Sequence, residues 1–273
     1  MARRSAPQGT QAILRAISLL KVFSGTDNEL TLFELSSATG LTKTTAHRIL
    51  AALESEGFIA RGTIPSTYRL GPAVIALGVQ ALRTSDLRAA VRHNLIEVAE
   101  ATSETATLEV LSDDRMLILD EVSGRHLVSA TAEIGTQWPI HATSTGKALL
   151  AALPDEQARS LLKSSLGRDT AHATTDLGEL LKQLDKVRRE GYATAVEELE
   201  QGFVAIGAAF RGPLGDPLGA ISVGGPTSRI ERKRYSELGS LIKTAADKIS
   251  KQLGHESGSP RSKSAPPRRK SSR

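Results

Sequence analysis

The chain has 273 residues, of which 40% are hydrophobic and 24% charged, a balance that supports one large folded domain or two ordinary ones. It contains no Cys, which excludes a disulfide scaffold, a thiolate zinc site and a Cys nucleophile. The longest strictly apolar run, Ala148 to Leu153, is far short of the roughly 20 residues that cross a membrane. No apolar segment follows the two Arg of the opening MARRSAPQGT, so a soluble, cytoplasmic (nucleoid-associated) protein is expected.

The formal charge of +5 is unevenly spread. Residues 254–273 hold six Lys/Arg against one Glu, residues 1–71 hold eight against five Asp/Glu, and residues 72–253 carry the compensating −3. Basic ends suggest a polyanion partner and the mildly acidic middle a different task.

Residues 1–10 are expected to be a flexible N-terminus, and residues 11–71 alternate helix signals with turns. Ala12 to Phe23 places Ile13, Ile17, Leu20 and Phe23 at helical spacing. Thr31 followed by Glu34 forms a capping box for a short helix closed by Gly40. After a turn at Leu41, Thr42 caps a third helix with Ala46, Ile49, Leu50 and Leu53 on one side, stopped by Gly57. Phe58–Arg61 and Thr67–Leu70 read as two short strands around a loop. Helix, short helix, turn, helix and hairpin is the layout of a winged helix-turn-helix. Lys43, Thr44, Thr45, His47 and Arg48 lie near the start of the third helix, off its apolar face. The helix dipole and hydroxyls there suit phosphates, and Lys43 and Arg48 reach base edges. The alternative is an ordinary amphipathic helix with a solvated polar side.

Beyond Gly71 the pattern changes. Pro72–Leu82 and Leu87–Thr102 are helical around Ser85-Asp86. Strands are expected at Ala106–Leu111, Met116–Val122 and His126–Thr131. Helices follow at Ser144–Leu153, from Pro154 and at Leu177–Glu190, then strands at Tyr192–Glu197, Phe203–Phe210 and Leu218–Val223, and a last helix at Ile230–Leu253. That order predicts an α+β domain over residues 87–253 with a mostly antiparallel sheet. Residues 254–273, rich in Ser, Pro, Gly and basic residues, read as a disordered tail, either without a task or in weak contact with phosphates.

Catalytic motifs are missing from the sequence. There is no GxGxxG, no GxSxG and no HExxH, and the six His show no metal-ligand spacing. Gly146-Lys147 resembles the end of a P-loop only superficially, because Ala148 replaces the hydroxyl residue and His141 the first Gly. No enzyme activity, cofactor or metal is therefore expected. Two polar, Gly-rich stretches remain. In Gly135–Lys147 a loop enters a helix through Thr143, Ser144 and Thr145, a natural seat for a carboxylate or simply a well-capped helix. The other runs from Glu197 to Gly202 and on through Gly219–Pro226. In its second part Ser222 and Gly224 alternate with Ile221 and Val223, so that one strand face is small, lining a cavity or meeting a packed helix.

On these segments the chain resembles the isocitrate lyase regulator (IclR) family of bacterial transcription factors along almost its whole length. The carrying residues are TLFELSSATGLTKTTAHRILAALESEGFI, Tyr68-Arg69-Leu70-Gly71, GTQWPIHATSTGKALLA and GAISVGGP, in that order and spacing. The resemblance implies a winged helix-turn-helix, a linker helix over residues 72–86 and a GAF-like effector-binding domain. It also implies dimers or dimers of dimers on (pseudo)palindromic, double-stranded promoter DNA, with a small carboxylic or aromatic acid as effector. Thr42, Lys43, Thr44, Thr45, His47 and Arg48 fall on the family's recognition helix. Gly135, His141, Ala142, Thr143, Ser144 and Gly146 match its pocket loop, Ser222 and Gly224 its pocket strand, and Glu197 lies near an acidic pocket position. Ala209-Phe210-Arg211 departs from the usual Ala-Pro-Val, and Arg211 faces either an anionic effector or solvent. The reading to be tested is an effector-modulated, sequence-specific regulator. The alternative is an architectural DNA-binding protein without an effector, which predicts steep salt dependence and little sequence preference.

Overall fold

Local signals at Thr31 and Thr42 shape the first of two units into which the chain divides, with the boundary between Asp86 and Leu87. The computed structural model describes residues 10–23, 29–83, 85–126, 133–166 and 173–255. In the first unit, helix α1 (Gln11–Val22) precedes strand β1 (Leu30–Thr31) and helix α2 (Leu32–Thr39). The Thr31 N–H donates to Glu34 Oε2 at 2.7 Å and the Glu34 N–H to Thr31 Oγ1 at 3.3 Å, the reciprocal capping box. Gly40 ends α2 in the left-handed region at φ 67°, where side chains other than Gly are strained. Thr42 Oγ1 then accepts from the Thr45 N–H and opens helix α3 (Lys43–Ser55). Strands β2 (Ile59–Arg61) and β3 (Thr67–Leu70) and helix α4 (Pro72–Arg83) complete the unit.

Leu19, Leu35, Ala46, Leu50, Ile59 and Tyr68 form its core. The sheet order is β1-β3-β2, with Leu30 opposite Tyr68. Two features differ from the expected pattern. β1 is a two-residue strand, too short to carry an alternation. On α1, the buried positions are Leu19 and, just past the helix, Phe23, whereas Ile13 and Ile17 are exposed. The apolar spacing of α1 serves two faces, only one of which this unit covers.

The second unit opens with α5 (Asp86–Thr102), followed by β4 (Thr105–Ser112), β5 (Arg115–Val122) and β6 (Gln137–Pro139). Helices α6 (Ser144–Ala152), α7 (Asp155–Ser165) and α8 (Leu177–Glu190) come next. Then follow β7 (Ala193–Val196), β8 (Phe203–Arg211), β9 (Pro217–Pro226) and α9 (Tyr235–Gln252). The six strands form one sheet in the order β6-β5-β4-β9-β8-β7, with every neighbouring pair antiparallel. Period-two alternation divides their side chains between two layers. Ala106, Leu108, Val204, Ile206, Ala208, Phe210, Ile221 and Val223 pack against Val91, Leu95 and Val98 of α5 and Leu238, Ile242 and Ile249 of α9. α6 crosses the opposite face, over β7, β8 and β9. Behind it, Leu149 and Leu150 meet Ala158, Leu162, Leu180 and Leu184 of α7 and α8.

A register shift between Leu108 and Glu109 pairs Leu108 with Asp120 but Glu109 with Ile118. Fully buried Asp120 thereby joins the α5 side, where it accepts from Arg88 at 3.2 Å and Arg92 at 2.6 Å. β6 was not foreseen, and the last helix starts at Tyr235 after a 3₁₀ turn at Arg232–Arg234 rather than at Ile230, which is core. The expected strand at His126–Thr131 lies, after His126, outside the described residues. So do residues 1–9 of the expected flexible N-terminus and 256–273 of the expected tail.

Candidate functional site

The first turn of α3 presents Thr42, Lys43, Thr44, His47 and Arg48 to solvent, with Thr45 half-buried and Ala46 and Leu50 beneath them. Positions 43 and 47, and 44 and 48, are four apart, so these side chains share one surface. Thr42 Oγ1 donates to Thr45 Oγ1 at 2.9 Å, and the Lys43 ammonium stands 5.2 Å from the centroid of the exposed Phe33 ring. The neighbouring wing adds two basic residues to the expected set. Exposed Arg61 stacks 4.5 Å from the Tyr68 ring centroid and donates to Glu54 at 3.0 Å, which raises its pKa further. Arg69, also exposed, donates to Arg61 O at 3.2 Å.

The wing loop is tied by Glu29, which accepts from the Ile64 N–H at 3.0 Å, the Thr63 N–H at 2.8 Å and the hydroxyls of Thr63 and Thr67 at 2.7 Å. These bonds, led by the Ile64 and Thr63 N–H groups, lower its carboxyl from 4.5 to about 2. A depressed folded value means that this stabilisation is present above 4.5 and is lost as pH falls through about 2. Glu29→Gln is therefore expected to be less stable than the native chain near neutral pH and to converge with it in acid. Paired urea titrations across that range check this, and a gap that stays constant down to the lowest pH would refute it.

The second site is a partly open cavity of about 60 Å³ between the sheet and the start of α6. The odd-numbered residues Thr105, Thr107 and Glu109 of β4 point into it beside Ser222 and Gly224 of β9. Ile118, Ala205 and Phe203 add apolar wall, and Ala142–Thr145, Glu198 and Leu199 close it. A chain of hydroxyls crosses the floor. Ser222 Oγ lies 2.7 Å from Thr107 Oγ1, which donates to Glu109 Oε1 at 3.0 Å, and Thr145 Oγ1 donates to Glu109 Oε2 at 2.6 Å. Burial pushes the Glu109 carboxyl up, and the Thr145 and Thr107 hydroxyls partly oppose this. Thr143 caps α6 by accepting the Gly146 N–H at 2.9 Å, and the rest of that turn directs the positive helix end at the cavity. Lys147 reaches through to pair with Glu198 Oε1, its ammonium pushed down by burial and drawn back up by the carboxylate. Of the lining residues, Glu198 and Thr105 each have a buried oxygen, Oε2 and Oγ1, without a hydrogen-bond partner.

Of the residues singled out from sequence, Ala142, Thr143, Ser144, Ser222 and Gly224 line this cavity, and four do not. Gly135, at φ 96°, shapes the turn before β6, its N–H donating to Ile118 O at 2.9 Å. His141 is buried toward α7, with Nδ1 2.7 Å from Ser165 Oγ, and burial followed by the charge of Lys147 lowers its pKa. Gly146 makes room, because a Cβ there would lie 2.0 Å from Ile140 O. Glu197 turns outward at φ 56° and accepts the Gly202 N–H at 2.8 Å, leaving the inward place to Glu198. Arg211 is also outside the lining, where it donates to Gly215 O at 2.7 Å. Thr145 and Lys147 fall in the stretch expected to seat a carboxylate, and the cavity adds Thr105, Thr107, Glu109 and Glu198 to the expected set. Their trace in the sequence is the polar alternation Thr105-Thr107-Glu109, which a solvated strand face would share. Among the described residues no cluster of His, Cys, Asp or Glu could hold a metal ion. No described helix is long and apolar enough to cross a membrane.

A winged helix-turn-helix followed by a separate α+β unit with a polar cavity defines the class of ligand-responsive transcription factors. Comparison with known proteins places the chain within it. Residues 12–62 match the IclR helix-turn-helix domain and residues 79–251 the C-terminal domain of bacterial transcriptional regulator IclR. The chain belongs to the IclR family of bacterial transcriptional regulators. It is 32% identical to the transcriptional repressor IclR of Escherichia coli over 247 residues, 89% of this chain and 90% of that one. A crystal structure of an IclR regulator from Alicyclobacillus acidocaldarius superposes with a TM-score of 0.76 at 29% identity, covering 89% of this chain and 98% of that one. An IclR homologue from Microbacterium hydrocarbonoxydans, crystallised with 4-hydroxybenzoate, does so at 0.69 and 27%, with the same coverage.

Proposed function

We propose that this regulator binds promoter DNA as a dimer or a dimer of dimers and that a small carboxylic acid in the cavity of the second unit tunes that binding. The observation that carries the reading is the cavity itself. It is partly enclosed, its wall is largely apolar with hydroxyls set into it, and the residues that open α6 form part of it, an arrangement that suits a small acid with its carboxylate at the helix start. The homologue bound to 4-hydroxybenzoate supports an acid as ligand. DNA contacts are assigned to Thr42, Lys43, Thr44, Thr45, His47 and Arg48, with Arg61 and Arg69 added from the wing. Self-association is assigned to the exposed apolar faces of α1 (Ile13, Leu14, Ile17) and α4 (Ile75, Leu77, Val79), which the first unit leaves uncovered. The acid acts by binding one conformation of its unit more tightly, a coupling of about 1–3 kcal/mol. A cytoplasmic location follows from the DNA partner, and no residue is given a catalytic role.

Fluorescence anisotropy on the DNA upstream of the gene tests this, with a scrambled duplex as control, at about 150 mM salt and with short acids added in turn. Tight binding to the native duplex that one acid alters is the expected result. Arg48→Ala is expected to cost about 1–3 kcal/mol on that duplex and to relax its sequence preference. Equal binding to both duplexes, unmoved by any acid, would favour the architectural alternative. Equal loss by Arg48→Ala on every sequence would reduce that residue to a phosphate contact.

A further inference from the structure

One large aromatic ring of the first unit takes no part in its core. Phe33 is 62% exposed, whereas its neighbours Leu35 and Ser36 are the buried residues of α2. The ring centroid and the Lys43 ammonium lie 5.2 Å apart, and each side chain is mounted on a capped first helical turn. Thr31 and Glu34 fix the turn that carries Phe33, and Thr42 caps the turn that Lys43 opens. Two rigid mounts thus set the direction in which a flexible side chain leaves α3. Among the described residues no carboxylate pairs with Lys43, so the ring face is what holds this cation.

We propose that Phe33 is a positioning residue for DNA readout and that Lys43, held against its ring, reads a guanine in the major groove. This rests on the assignment of Lys43 to the DNA-contacting turn and deepens it. The N-terminal residues of such a helix are the ones that meet base edges. An ammonium has three N–H groups, and with the ring on one side of it those on the other side remain free to donate. Guanine alone presents two adjacent acceptors there, N7 and O6, whereas adenine sets an amino group beside its N7. A phosphate recognises charge and gains little from a fixed direction, but a base edge rewards one. Lysine also loses much rotamer freedom when its end is fixed. The ring takes part of that loss before DNA arrives, which gives an exposed aromatic its use.

Duplexes selected from a randomised pool by the full native chain supply the probe. Each guanine in them is replaced in turn by 7-deazaguanine, which lacks the N7 acceptor. Anisotropy at about 150 mM salt is expected to find a guanine whose replacement weakens native binding about fivefold or more. Lys43→Met is expected to erase that penalty. Phe33→Leu, at an exposed position, is expected to weaken binding about two- to fivefold on guanine and less on 7-deazaguanine. Phe33→Trp, which offers a cation the better ring face, is expected to keep the full guanine preference. A purely structural Phe33 would not produce that difference between the two bases. An undiminished 7-deazaguanine penalty in Phe33→Leu would overturn the positioning role and leave Lys43 as a base contact. Equal loss by either variant on both bases, or the lack of any sensitive guanine, would overturn the guanine readout and reduce Lys43 to a phosphate contact. A Lys43→Met variant that binds every duplex as the native chain does, or a selection that enriches no sequence, would overturn the underlying assignment as well.

Discussion

Lys147→Met is expected to destabilise the second unit by about 3–5 kcal/mol, because it strands a carboxylate inside the protein. The Lys147 side chain is 3% exposed and that of Glu198 15%, and the two are paired. Around Glu198 the cavity wall is Ala195, Leu199 and Phe203, none of which offers a compensating charge. Removing both charges behaves differently. Lys147→Met combined with Glu198→Leu is expected to recover most of the stability, since well-packed apolar groups commonly replace a buried pair at no loss. Ligand response does not return with it. Urea midpoints of the native chain, both single variants and the double variant form the cycle that checks this. A Lys147→Met variant within 1 kcal/mol of the native chain would show that Glu198 escapes to water.

Gly146→Ala is expected to cost about 3 kcal/mol or more, although Ala is the better helix former by about 1 kcal/mol. A Cβ at this position would stand 2.0 Å from Ile140 O and 2.7 Å from Thr143 Oγ1. The first contact is with backbone, which does not rotate away, and the second is with the atom that caps α6. Relief requires moving the loop that forms the cavity rim, so ligand binding falls together with stability. A decrease in Tm of roughly 6–12 °C corresponds to that cost in a domain of this size. An unchanged Tm would mean that the loop yields freely and that the tight approach is unimportant.

What could be read from the sequence follows from where chemistry is local. Caps and stops are local, so Thr31 with Glu34, Thr42, Gly40, Gly57 and Gly191 mark helix ends that the structure has. β1 and β6 were missed because two or three residues cannot display an alternation. The cavity was half legible. Hydroxyls entering α6 and the small face of Ser222 and Gly224 signalled their part of the wall. Thr105, Thr107 and Glu109 did not, because alternation tells one strand face from the other and not a polar cavity from bulk water. Glu198 was mistaken for Glu197 by a single residue. In an extended segment that slip exchanges inside for outside, and here the positive φ of Glu197 sets which carboxylate turns inward. The outward face of α1 escaped for a related reason, since periodicity counts apolar residues without saying what covers them.

The six-stranded sheet closes on its shortest members, three residues in β6 and four in β7, against eight to ten in the strands between them. Pro139, in β6, also lacks the N–H that an added strand would need. Among the described residues, neither terminal strand offers a long row of open backbone groups on which a foreign strand could template itself. A broad antiparallel sheet with such edges resists growing edge to edge into filaments even at high concentration, which leaves any contact between copies to side chains.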